Sequence, residues 1–261
     1  MMRKQTLASV SSLALIAAIL LLPVDSDARG RKHGNGGGNG GGQAGLSTIV
    51  ASMPMQDLSF EEELGLSKML EEEKLARDVY QVLYEKWNDR TFSQIARSEQ
   101  KHMDAVQALF DKYSLVNPIS DPGAGVFTDQ KLQELYHSLV AKGEQSLVDA
   151  YQVGATIEDL DIKDLYDLLE QTDNSDIQMV YQNLVKGSRN HLRSFTYLLS
   201  LNDATYEAQF LTAEQISDII TAPRERGRVD ENGVQVSGRS GSNSMQRGAG
   251  AQASSRFLMT K

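Results

Sequence analysis

The chain has 261 residues, no cysteine and a formal net charge of −9. The lack of cysteine excludes disulfide cross-links, thiolate metal sites and a cysteine-linked lipid anchor. The acidity is concentrated in residues 46–221, where 14 Lys and Arg face 30 Asp and Glu, a balance of −16 that argues against nucleic acid as a partner of this part.

In chain order, residues 1–28 open with Arg3 and Lys4, continue with an apolar run over Leu13 to Leu22, and end on Pro23, Ser26 and Ala28. That is the tripartite layout of a secretory signal cut after Ala28, so the protein is expected to be exported, to a periplasm or out of the cell. The alternative is an uncleaved anchor, but the run is shorter than the roughly 20 apolar residues a span requires. Residues 29–45, RGRKHGNGGGNGGGQAG, predict a glycine-rich flexible tether, extended here to residue 56. The folded domain is expected over 57–221. Residues 223–261 carry seven basic residues against three acidic ones among Gly, Ser, Gln and Asn, so 222–261 reads as a basic disordered tail.

Between these ends the apolar periodicity is helical, with no sustained two-residue alternation, and an all-α domain follows. Ser59 with Glu62 forms a capping box for a first long helix to about Trp87. Thr91 caps a second, to about Tyr113. The stretch VNPISDPGAG is a turn-rich crossover, followed by a short helix near 129–141. Ser146 with Asp149 starts a third long helix ending near Glu170, Asp173 begins a fourth running to about Ser200, and Thr212 with Gln215 caps a last short one.

Each long helix carries an apolar seam at three-four spacing, the pattern that packs into a bundle. The polar exceptions fall near mid-seam: Glu73 on the first helix, Glu99 and His102 on the second, Glu158 and Asp161 on the third, His191 on the fourth. Folding is expected to bring them into one layer. Buried carboxylates without a counter-charge cost several kcal/mol, roughly, so a cation is expected there. Carboxylate with imidazole suits iron or manganese better than calcium. Glu99 and His102, three apart, project to the same side. An E-x-x-H pair is weak by itself, but two of the four histidines occupy matching seam positions. The alternative is a metal-free buried polar cluster.

These segments, over about residues 57–202, resemble the ferritin-like superfamily, its rubrerythrin-type di-iron bundles, and an uncharacterised family of ferritin-like domains of bacteria and archaea. The stretches that carry the resemblance are EKLARDVY from Glu73, FSQIARSEQKH ending at His102, and NHLRSF around His191. It implies an antiparallel four-helix bundle with a short extra helix in the crossover. It also favours Glu73 over Glu71 and Glu72 as a ligand, and gives ligand roles to Glu99, His102 and His191. The third helix matches less well: of the family's Gly-Glu-x-x-Glu only Gly154 and Glu158 remain, with Asp161 as a substitute. Ser188 stands where the family has a glutamate three residues before the last histidine.

The resemblance implies a centre of one or two iron ions, with manganese as the alternative, reacting with oxygen or peroxide. Without a rubredoxin-like cysteine module, the electron donor is external. Arg77, Asp78 and Asn190 flank the ligands, either orienting them or lying as ordinary surface charges. Tyr80, Tyr151 and Tyr181 lie on the seams nearby and either donate hydrogen bonds to the layer or fill core. A homodimer is the assembly considered. The other function classes are a non-catalytic binding or scaffold module with a structural or degenerate metal site, and iron storage in a cage.

Overall fold

The computed structural model describes residues 45–236. The expected secretory signal, most of the expected tether and the end of the expected tail lie outside them. Among the described residues the chain is all-α, with α1 (Leu46–Ser52), α2 (Phe60–Trp87), α3 (Arg90–Tyr113), α4 (Gln130–Gly143), α5 (Leu147–Leu169), α6 (Ser175–Ser200) and α7 (Ala213–Thr221). No described helix is long and apolar enough to cross a membrane.

Two hairpins, α2–α3 and α5–α6, build the bundle, and α4 lies in the crossover between them. Ser59 and Glu62 form the expected capping box. α2 ends at Asn88, in the left-handed region (φ 52), which asparagine tolerates better than most residues. That turn makes Asp89 the cap of α3, its carboxylate accepting from Thr91 N at 2.8 Å, so Thr91 sits inside the helix rather than capping it. The crossover is pinned by Lys74, only 1% exposed. Its ammonium donates to Asp78 Oδ2 at 2.7 Å and to the carbonyls of Gly123 and Val126 at 2.8 and 3.0 Å. It also lies 4.2 Å over the Phe127 ring.

The buried apolar side chains form two clusters rather than one. The first gathers around Tyr80, Phe92 and Phe195, the second around Leu66, Met69, Val106 and Leu184. On α2, α3 and α6 the residues that interrupt the seams stand in sequence between these clusters, and on α5 Glu158 and Asp161 alternate with Ile157, Leu160 and Ile162 of the first cluster just before Leu165 of the second, so apolar side chains flank the polar layer.

Two boundaries differ from the sequence reading. Residues 46–52, assigned to the tether, form α1, with Val50 fully buried. Lys112 holds this stretch by donating to Pro54 O at 3.0 Å and pairing with Asp176. The described part of the tail also packs on α6. Glu225 pairs with Arg189 and Arg193, and Asn183 bonds both N and O of Val229. An isolated antiparallel bridge joins Val229 to Gln235. Composition misses such segments because they are held by a few polar bonds to the bundle and bury little of their own.

Candidate metal centre

The layer is assembled from all four long helices. Glu73 on α2, Glu99 and His102 on α3, Glu158 on α5 and His191 on α6 are all buried. Their ligand atoms form two converging groups, Glu73–Glu99–His102 and Glu99–Glu158–His191, each within 4.8 Å. Glu99 belongs to both. Its Oε2 lies 2.7 Å from His102 Nδ1 and its Oε1 lies 2.9 Å from His191 Nδ1. Glu73 Oε2 lies 3.2 Å from His102 Nδ1, and Glu158 Oε2 lies 3.4 Å from His191 Nδ1. The imidazoles stack with centroids 5.7 Å apart.

The donors fit a transition metal. Atoms bound about 2.1 Å from one ion at right or tetrahedral angles stand about 3.0 to 3.4 Å from each other, close to the separations found. Despite the short distance between them, Glu99 Oε1 and His191 Nδ1 are not aligned for a hydrogen bond, and Glu73 Oε1 has no partner. Buried polar atoms left this way are rare and call for an explanation such as an ion.

Electrostatics describe the same site without metal. Burial pushes Glu73 up to about 7, opposed by His102 and reinforced by Glu99 and Glu158. Glu158 is raised by burial and by Glu99, against His191. Burial would also raise Glu99, but His191 and His102 outweigh it and hold that carboxyl well below the usual range. Burial lowers the affinity of both imidazoles for protons, yet their carboxylates win, raising His191 to about 10 and lifting His102 well above its ordinary value. Without metal, the carboxylates thus draw both imidazoles toward their protonated form. A metal would bind the same donor atoms and so compete with protons for them.

The surrounding residues sort clearly. The Tyr80 hydroxyl donates to Glu158 Oε1 at 2.6 Å. Ser188 Oγ donates to Asp161 Oδ2, with a second contact to Leu184 O at 3.1 Å. Asp161 is in neither converging group, but burial and the charges of Glu73 and Glu158 raise it well above the usual carboxylate range. Among the three consecutive glutamates, Glu73 joins the layer, Glu72 turns toward Lys68 and Glu71 is partly exposed.

For three residues the ligand-orienting reading does not hold. Arg77 binds Asp78 and Gln100 rather than a ligand. Asn190 is turned to the C-terminal segment, bonding Glu225 N and O. The Tyr181 hydroxyl has no partner, and the side chain packs in the second apolar cluster. Each stands close in sequence to a ligand or on a seam, but the helix turns its polar atoms elsewhere. Tyr151 likewise donates to Asp89, away from the layer.

With the geometry in place, comparison with known proteins bears on the family. A model described as an uncharacterized protein domain, DUF2202, matches residues 62–223. The chain belongs to this family. The chain is 51% identical over 178 residues, 68% of its own length and 96% of the relative, to "Uncharacterized protein MJ0754" of Methanocaldococcus jannaschii. The crystal structure of hypothetical protein MJ0754 is similar with a TM-score of 0.66, covering 67% of this chain and 99% of that one.

One residue of the candidate site has no signal in the sequence. A Cβ on Gly187 would stand 2.5 Å from His102 Nε2 and 2.6 Å from its Cε1, so glycine there makes room for the imidazole. Gly187→Ala raises helix propensity by roughly 1 kcal/mol, yet it must displace the ring. The expected result is an intact helical circular dichroism spectrum with metal affinity lowered by about 10- to 100-fold, the range for changes that misplace ligands. Calorimetric metal titration measures it, and unchanged affinity would remove Gly187 from the site.

Proposed function

We propose that this chain is an exported ferritin-like protein that holds iron in the mid-bundle layer and supports oxidoreductase chemistry there, of the ferroxidase or peroxide-reactive kind. The observation that carries the reading is the pair of overlapping donor groups sharing Glu99. Glu73 and His102 would hold one ion, Glu158 and His191 a second, and Glu99 would serve both. The donor set is nitrogen and oxygen only, which suits iron or manganese. Bound iron supplies the electron steps toward oxygen or peroxide that side chains alone do not perform. The chain's part is to fix the donors: Tyr80 orients Glu158, Ser188 keeps Asp161 beside the layer, and the two apolar clusters limit water. Export rests on residues 1–28, and reducing equivalents would come from outside the chain.

The test is to load residues 29–261 anaerobically with ferrous iron, remove the excess, count the metal and admit oxygen. Two ions per chain and ferrous oxidation are expected. If no transition metal is retained, the reading is lost. Ser188 in place of a carboxylate, with Asp161 outside both groups, favours a second reading, a non-catalytic module with a structural ion. Retention of metal without oxidation would select that one.

A further inference from the structure

A cleft of about 540 Å³ opens between α3 and α6. Arg97 and Lys101 on α3 and Arg224 from the segment after α7 line it, and no acidic side chain does. This composition departs from its surroundings, since residues 46–221 carry 14 basic side chains against 30 acidic ones. All three cations are exposed. Nearby Arg189 and Arg193 are tied to Glu225, whereas Arg97, Lys101 and Arg224 enter no ion pair among the described residues. Arg224 is held in place because its neighbour Glu225 is bonded through side chain and backbone to α6.

His191, whose Nδ1 faces Glu99 and Glu158, is part of the cleft lining. Ser98 and Ser194 are also in the lining, and Tyr197, 62% exposed, adds an aromatic surface. The volume falls within the roughly 300 to 1,000 Å³ of small-molecule sites and is more than an inorganic ion fills. Positive charge in the lining, from α3 and from the segment held against α6, repels free divalent cations and attracts anions.

We propose that this cleft binds a small organic oxyanion, a carboxylate or phosphate ester, and brings it to the His191 edge of the layer. The inference rests on the proposed metal centre for its role, since it names the class of molecule that would meet that centre. The binding itself needs only the cleft.

The experiment therefore uses metal-free residues 29–261, titrated calorimetrically at low salt with citrate, phenyl phosphate and inorganic phosphate. One saturable site with Kd below about 1 mM is expected for citrate or phenyl phosphate. Which of the two binds distinguishes carboxylate from phosphate. Binding should weaken as salt screens the exposed charges, and the His191 ring resonances should shift while those of exposed His137 stay. The combined variant Arg97→Ala, Lys101→Ala, Arg224→Ala should bind about tenfold more weakly, since three individually weak exposed ionic contacts are removed together. The single reversal Arg224→Glu should weaken binding in the same direction if the combined variant does not fold. No saturable binding by the wild type, unchanged binding by the folded variants, or a still His191 overturns the proposal. Failure here leaves the metal count untouched. Conversely, absence of metal retention leaves this titration valid, so the two results are separable.

Discussion

Glu99→Gln is expected to eliminate metal retention at both donor groups at once. Each oxygen of Glu99 stands beside a different imidazole, and Glu99 is the residue common to both groups. The amide keeps the shape but loses the charge and turns one acceptor into a donor. Changes to groups merely supporting a ligand cost about 10- to 100-fold in metal affinity, so loss of a shared ligand should exceed about 100-fold. Glu73→Gln and Glu158→Gln reach one group each and should leave about one ion per chain. Metal analysis after dialysis reads the stoichiometry, with circular dichroism as the check on folding. Two ions retained by Glu99→Gln would mean that the converging geometry is not a shared site.

The second large effect concerns pH. The metal-free protein should be most stable near pH 5 and lose stability upward. Glu73 moves from an ordinary 4.5 to about 7, so between these values the folded state keeps a proton that the unfolded state has released, and stability falls as pH rises. Glu158 and Asp161, raised by burial, act in the same direction. The stabilisation from His191 is complete below its ordinary 6.5 and disappears as pH climbs through about 10. His102, also raised, adds to that limb. Glu99 works the other way: its contribution is present above its ordinary 4.5 and is lost as pH falls below it.

The Glu73 shift alone corresponds to about 3 kcal/mol, or roughly 6 to 12 °C in Tm for a domain of this size. Metal requires the deprotonated ligands, so its stabilising effect should grow over the same range in which the metal-free protein weakens. Thermal unfolding from pH 5 to 8, with and without ferrous or manganous ion, measures both trends. Glu73→Gln should flatten the metal-free decline below pH 7. A metal-free Tm that stays level or rises between pH 5 and 8 would contradict the charge balance described for the layer.

The helical pattern was legible in the sequence because a 3.6-residue period fixes the direction of each side chain around its helix. That is why Glu73, Glu99, His102, Glu158 and His191 could be placed on seams that the structure then buries together. It also explains Glu73 and Glu72 parting company: consecutive residues point about a quarter-turn or more apart. The same reasoning left the roles of Tyr181 and Asn190 open. A seam position states which side a residue faces but not how far along the bundle its polar atom reaches, nor which neighbour competes for it.

The all-α class, the long helices and the polar residues of the mid-seam follow from local propensity, capping and periodicity, and so could be read along the chain. That Glu99 is shared by two donor groups and that Ser188 holds Asp161 emerges only from the packing of the helices. Packing likewise shows that Gly187 clears space for His102 and that residues 46–52 and 222–236 join the bundle. It also brought Arg224 beside Arg97 and Lys101 at the His191 cleft. These depend on the axial register between helices and on polar contacts between segments far apart in sequence, and periodicity within one helix contains neither.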